Sequence, residues 1–307
     1  MKILVTGGAG FIGSHLVRQL LKEKNEITVL DDVSSGSWQH LQGCKEKCDC
    51  WEMDVRSKNA REKIETAYFD VIVHLAAQTM VDVSIKDPEL DASKNIMGTV
   101  NILEAARNSG VKRVIFSSTA AVYGDVTEDK LPIRENEKLT PMSFYGLTKI
   151  TVEKYLQLYH ELYGLDYVVC RFANVYGERQ GDRGEGGIIS IFAKRIASGQ
   201  NITIYGDGTQ TRDFVYAGDI ARGICKAITT TNVNNIYNLS TQTETSLLDL
   251  VRVMSEVSGK KLIPKFGPGR EGDIYRSILS NEKAMRGLGW KPEVSLQDGL
   301  KRTMEFF

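Results

Sequence analysis

With 307 residues, 39 basic and 39 acidic side chains, the chain can bury a sizeable core without disulfides, and its even charge points to neither nucleic acid nor an anionic membrane. Any anionic ligand must therefore be bound by local groups. The opening Met1-Lys2-Ile3-Leu4-Val5 is too short an apolar run for a signal peptide and no later stretch reaches membrane-spanning length, so a cytoplasmic protein is expected.

Along the chain, β-branched runs at Ile3 to Val5, Ile27 to Leu30, Val71 to Val73, Val114 to Phe116 and Tyr167 to Val169 alternate with helical patterns. Ile12, Leu16 and Leu20 form one such pattern, and Ile96, Val100 and Leu103 another. This series predicts an α/β fold with a doubly wound, Rossmann-type parallel sheet covered on both faces.

The first strand runs through glycines straight into a helix, in "ILVTGGAGFIGSHLV". Gly8, Gly10 and Gly13 match a GxGxxG template, and Gly7, Gly10 and Gly13 a GxxGxxG variant. In either spacing the missing side chains let a pyrophosphate approach backbone N–H groups at a positive helix end. Eighteen residues past Gly13, Asp31 closes the second strand, placed to accept from an adenosine ribose and to repel a 2′-phosphate. NAD is thus expected over its phosphorylated form; the plainer reading of Asp31 is a solvated strand-end acid.

Cys44, Cys48 and Cys50 cluster in a charged segment, where a zinc site needs a fourth ligand besides the three thiols; ordinary thiols and no metal are expected. Further on, "SSTAAVYGD" at 117–125 ends a strand with hydroxyls, in the region where doubly wound sheets bind ligands. Thr119 is the candidate to hydrogen-bond a substrate oxygen, with Ser117 and Ser118 as neighbouring alternatives.

"SFYGLTKITVEKYL" sets Tyr145 and Lys149 four apart at the start of a helix, on one face. A free phenol, with a pKa of about 10, is a poor base, but a nearby ammonium and an oxidised nicotinamide favour the phenolate. Tyr145 is the expected acid/base for an alcohol, tuned by Lys149, which also holds the nicotinamide ribose.

After about residue 175 the rhythm changes. "ERQGDRGEGG" at 178–187 is polar and aperiodic, and short strands mixed with helices follow. Residues 1–175 read as a dinucleotide-binding domain and 176–307 as mainly a smaller substrate lobe. "NIYNL" at 235–239 has the composition of a further strand of the main sheet, which would interleave the two.

These motifs together resemble the extended short-chain dehydrogenase/reductase family, in particular its nucleotide-sugar epimerases and dehydratases. The resemblance spans nearly the whole chain: "TGGAGFIG" at 6–13, "HLAAQ" at 74–78, "SSTAAVYG" at 117–124, "YGLTK" at 145–149, "RFANVYG" at 171–177, "IYGDGTQTRDFVY" at 204–216 and "REGD" at 270–273. It implies cofactor contacts from Phe11 and Ile12 at the pyrophosphate, Asp54 and Val55 at adenine, and Ala76, Ala77, Gln78 and Asn95 on the nicotinamide side. For a UDP-sugar it implies phosphate contacts from Arg212, Arg270 and Asn174, ribose contacts from Asp273, and uracil contacts from backbone at Thr203 to Tyr205. "REGD" departs from the family's usual "RPGD", which puts the stiffness of that loop in doubt.

Sugar dehydratases of the family carry an aspartate–glutamate pair where this chain has Ala120 and Ala121, and related decarboxylases also use an acid near the second. Alanine can neither give nor take a proton. The resemblance therefore implies a UDP-hexose 4-epimerase with bound NAD, and a small side chain at Ser277 implies room for an N-acetyl group. Alternatives are another nucleotide-sugar enzyme of the fold (a reductase, a dehydrogenase, a uronate epimerase or decarboxylase) and a non-catalytic dinucleotide sensor. Helices around 93–108 and 147–162 are apolar on more than one side; family resemblance implies a homodimer there, and intramolecular packing produces the same pattern.

Overall fold

The computed structural model describes residues 1–181, 187–269 and 274–307. Strands and helices alternate from the start: β1 (Lys2–Thr6), α1 (Phe11–Lys22), β2 (Glu26–Asp31), β3 (Cys48–Glu52), α2 (Lys58–Ala67) and β4 (Val71–His74). Then come the short α3 (Val81–Lys86) and α4 (Pro88–Ala92), a π-helical turn at Ser93–Met97, α5 (Gly98–Ser109), β5 (Arg113–Thr119), α6 (Phe144–Tyr163) and β6 (Asp166–Phe172). Short elements follow: β7 (Asn174–Tyr176), α7 (Ile188–Ala197), β8 (Thr203–Tyr205), β9 (Thr211–Arg212), β10 (Phe214–Tyr216), α8 (Ala217–Thr229) and β11 (Asn235–Leu239). The chain ends with β12 (Thr245–Ser246), α9 (Leu247–Ser258), β13 (Lys265–Gly267), β14 (Arg276–Ser277), α10 (Glu282–Leu288) and α11 (Leu296–Phe306).

Among the described residues, seven strands form one sheet in the order β11-β6-β5-β4-β1-β2-β3, with every pairing parallel. Its register sets Ile3 beside Ile27 on one side and Val71 on the other. Because successive strand residues face opposite ways, Ile3 and Val5 enter one apolar cluster and Leu4 enters the other. The helices α1 and α8 cover the first face, through Leu16, Leu20, Ile220 and Ile224; α2, α5 and α6 cover the second, through Ile64, Leu103 and Leu156. A third cluster, including Phe192, Ile204, Met254 and Leu300, is built by later elements alone.

Asn235–Leu239 returns to pair with β6 at the sheet edge, so the later part of the chain closes the first sheet. The strand order reverses between β1 and β4, and the loops leaving their carboxyl ends form the crevice where ligands bind in such folds. No helix of the described residues is long and apolar enough to cross a membrane.

Candidate active site

The glycine loop shows how both spacings matter. Gly7 has φ +70°, and a Cβ there would stand 2.7 Å from the Ala76 nitrogen; a Cβ on Gly13 would stand 2.1 Å from the Gly7 oxygen. Gly8 is crowded as well, a Cβ there standing 2.7 Å from Val29 Cγ1, so both spacings are structurally required, with only Gly7 of these glycines in the left-handed region. No side chain caps α1, whose first N–H groups face the crevice mouth with the helix dipole behind them. That uncapped turn and the space a Cβ would fill fit the diphosphate of NAD.

Beyond it lies a notch of about 70 Å³ lined by Asp31, Asp54, Val55, Ala76, Ala77 and Lys94 among others. Asp31 is held rigidly, its two oxygens accepting from the Ala9 and Val33 N–H groups at 2.9 Å each. Burial raises its pKa, and those bonds oppose the rise. Asp54 is paired with Arg56 at 2.6 Å, which holds its carboxyl below the usual range. These placements suit an adenosine.

Two residues expected on the nicotinamide side have side-chain partners within the protein. The side chains of Gln78 and Asn95 turn inward: Gln78 bonds Met80 and Asp91, and Asn95 bonds Gln78, Asp91 and Thr148. Both brace the loop that carries Ala76 and Ala77, because buried amides must find partners wherever the fold supplies them.

A cavity of about 450 Å³ runs from Gly7, Phe11, Ile12 and Gly13 past Thr119, Tyr145 and Lys149 to Asn174. Helix α6 begins at its wall, with the Ser143 hydroxyl accepting from the Gly146 N–H at 3.1 Å. Tyr145 thus sits in the first turn and Lys149 one turn deeper. Lys149 is 3% exposed; its Nζ donates to the Ser117 carbonyl at 2.9 Å and lies 5.7 Å from the Tyr145 ring centroid. Burial lowers its pKa to about 8, and the charges of Asp91 and Glu153 pull it back upward.

The hydroxyl cluster is resolved by its partners. Ser117 Oγ donates to the His74 carbonyl at 3.2 Å and Ser118 Oγ to Glu153 at 2.6 Å. Thr119 Oγ1 accepts from the Ala121 N–H at 3.2 Å, a bond that leaves its own proton for another acceptor. His74, buried between Thr6 and Thr99, is driven down to about 3 by desolvation and is neutral. Thr99 donates to the Asn95 carbonyl, so it accepts from His74 Nε2–H, and Nδ1 accepts from Thr6.

Behind these groups is a buried pair that the motifs did not announce. Arg171 meets Glu153 through two bonds of 3.0 and 2.6 Å, and its other arm donates to Tyr123 at 2.9 Å. Glu153 follows Lys149 by four residues, so the helical period alone assigns it to the same face; Arg171, on β6, is reached only through the fold. Thr79 and Met80, which line the cavity, also carried no motif signal.

Of the expected nucleotide contacts, Asn174 lines the cavity from β7. Thr203 and Tyr205 lie on β8, which pairs with β13; Arg212 and Ser277 are register partners on β9 and β14. None of these four is among the described residues lining the cavity. Arg270 and Asp273 lie outside the described residues.

A dinucleotide cradle with a tyrosine–lysine pair beside it is the arrangement of an NAD-dependent enzyme. The chain matches, over residues 3–240, and belongs to the NAD dependent epimerase/dehydratase family. A putative UDP-glucose 4-epimerase of Methanocaldococcus jannaschii is 41% identical over 305 residues, which cover 99% of this chain and 97% of that one. The crystal structure of UDP-glucose 4-epimerase from Thermotoga maritima with UDP-glucose superposes with a TM-score of 0.94 at 39% identity, covering 100% and 98% of the two chains. The UDP-N-acetylglucosamine 4-epimerase of Methanobrevibacter ruminantium, in complex with UDP-N-acetylmuramic acid, gives a TM-score of 0.94 at 32% identity over 100% and 97%.

Proposed function

We propose that this protein is a UDP-hexose 4-epimerase that interconverts UDP-glucose and UDP-galactose through a 4-keto sugar while NAD stays bound. One observation carries the reading. Among the described residues lining the cavity there is no aspartate, glutamate or histidine, so Tyr145 and Lys149 stand without a second acid/base. Tyr176, also in the lining, has its pKa raised by burial and donates to the Leu296 carbonyl.

When bound, NAD supplies the acceptor for the hydrogen at sugar C4 and returns it. Tyr145 takes the hydroxyl proton, and Lys149, held by the Ser117 carbonyl, favours the phenolate. Thr119 donates to the same sugar oxygen. With no further proton carrier among the described lining residues, the ketone is not dehydrated and is reduced again from the opposite side after the sugar turns. Asn174, Arg212, Arg270 and Asp273 anchor the nucleotide meanwhile, so that its binding energy retains the intermediate.

A neutral hexose suits the wall better than a uronate. Lys149 is the one Lys or Arg among the described lining residues, and a second buried anion would lack a partner. By the family resemblance the small side chain at Ser277 implies room at C2, and the reading extends to UDP-GlcNAc and UDP-GalNAc. The enzyme works as a homodimer in the cytoplasm, a reducing compartment consistent with its five free cysteines.

The test mixes purified protein with UDP-galactose and no added cofactor. UDP-glucose should form, and UDP-GalNAc should likewise be converted. A stable keto sugar, or a requirement for added NADH, overturns the 4-epimerase; failure with UDP-GalNAc alone removes only the N-acetyl extension.

A further inference from the structure

Asp91 is completely buried yet has no lysine or arginine within ion-pair distance among the described residues. One oxygen accepts from Gln78 Nε2 at 2.7 Å and from Asn95 Nδ2 at 3.1 Å; the other accepts from Thr148 Oγ1 at 2.9 Å. The Thr148 hydroxyl has one proton and two acceptors in reach, the Tyr145 carbonyl and this carboxylate, and the charged acceptor makes the stronger bond. Three elements converge on one acid. Gln78 clamps both backbone groups of Met80 in the cavity wall, Asn95 belongs to the π-helical turn, and Thr148 stands between Tyr145 and Lys149 on α6.

The groups around Lys149 leave Asp91 a distinct task. On its own helix stand Tyr145 and Glu153; β5 offers the Ser117 carbonyl and the Phe116 ring, 4.8 Å from Nζ; β4 offers His74, neutral between two threonines; α4 offers Asp91. Glu153 is already bound on both oxygens to Arg171. The negative charge of Asp91 has no such partner.

Resting on the epimerase reading, we infer that Asp91 is a positioning residue, a counter-charge lodged behind the cavity that keeps Lys149 protonated and ties the Gln78–Met80 segment to the catalytic helix. A buried ammonium loses its proton readily, and an opposite fixed charge nearby opposes that loss. Without it, Lys149 would deprotonate at lower pH and the Tyr145 phenolate would lose its support.

The charge is tested on NAD-loaded, sugar-free protein by NMR titration of ¹³Cε-labelled lysine, with Lys149 assigned through Lys149→Met. In Asp91→Asn the Lys149 midpoint should fall by about one pH unit or more. The alkaline limb of kcat should move to lower pH with it. An unmoved midpoint in folded, NAD-retaining Asp91→Asn overturns the inference. The titration needs no turnover, so it stands even if the protein proves inactive on UDP-galactose. Thr148→Val keeps the charge and cuts the tie, and it carries the test if Asp91→Asn does not fold. Its kcat should drop about tenfold with KM little changed; an unchanged kcat overturns the inference.

Discussion

Tyr145 and Lys149 act at the smallest scale, and their chemistry depends on one being buried and the other lining the cavity. Lys149, lowered to about 8 by desolvation, is poised to respond to charge near neutral pH. Tyr145→Phe should lower kcat by about 10²–10⁴-fold while NAD, measured after denaturing release, stays near one per subunit. Near-normal turnover in that variant would remove Tyr145 from the role of base. This pair was legible in the sequence because helical spacing alone puts residues four apart on one face. Thr119 was the sequence candidate, and the partners of Ser117 and Ser118, His74 and Glu153, lie far away in the chain and are visible only in three dimensions. The inward hydrogen bonds of Gln78 and Asn95 were hidden for the same reason: a motif gives a residue's neighbourhood, not the direction of its amide.

Strand β5 and helix α6 carry the hydroxyl, phenol and ammonium proposed to be catalytic, and the Arg171–Glu153 pair with Ser118 fastens them together. Removing one partner strands a buried charge, so Arg171→Ala should cost about 3–5 kcal/mol in urea unfolding. The double change Arg171→Met with Glu153→Leu should recover most of that stability. A single-variant loss below about 1 kcal/mol would contradict this account of the pair. The alternating elements around β5 were readable from hydrophobic period. Strands of two or three residues such as β9 and β14 were not, because so short a run has no period to read. Edge strand β3, "CDCWE", also escaped notice, as it pairs only with β2 and buries only Trp51 among its five residues. The segment read as one helix around 93–108 opens with a π-turn, where Thr99 bonds the Asn95 carbonyl.

For the whole molecule, α6 presents Leu147, Leu158 and Leu162 to solvent at 48, 51 and 68% exposure, alongside Met97 at 60%. Apolar groups so disposed are suited to the partner helices of the homodimer proposed above. Leu158→Glu should shift sedimentation from dimer toward monomer; a wild-type protein that sediments as a monomer would refute the dimer. The layering of α8 and α10 against the first sheet was not visible in the sequence, since helical period does not say which sheet a helix will cover.

The return of Asn235–Leu239 to the β6 edge also bears on biosynthesis. A nascent chain with only its first 175 residues outside the ribosome has six of the seven sheet strands but an open flank at β6, with unsatisfied amides and apolar surface exposed to any neighbouring polypeptide. Completion of the sheet must wait for translation of Asn235–Leu239, roughly sixty residues later, so this edge stays open for that interval.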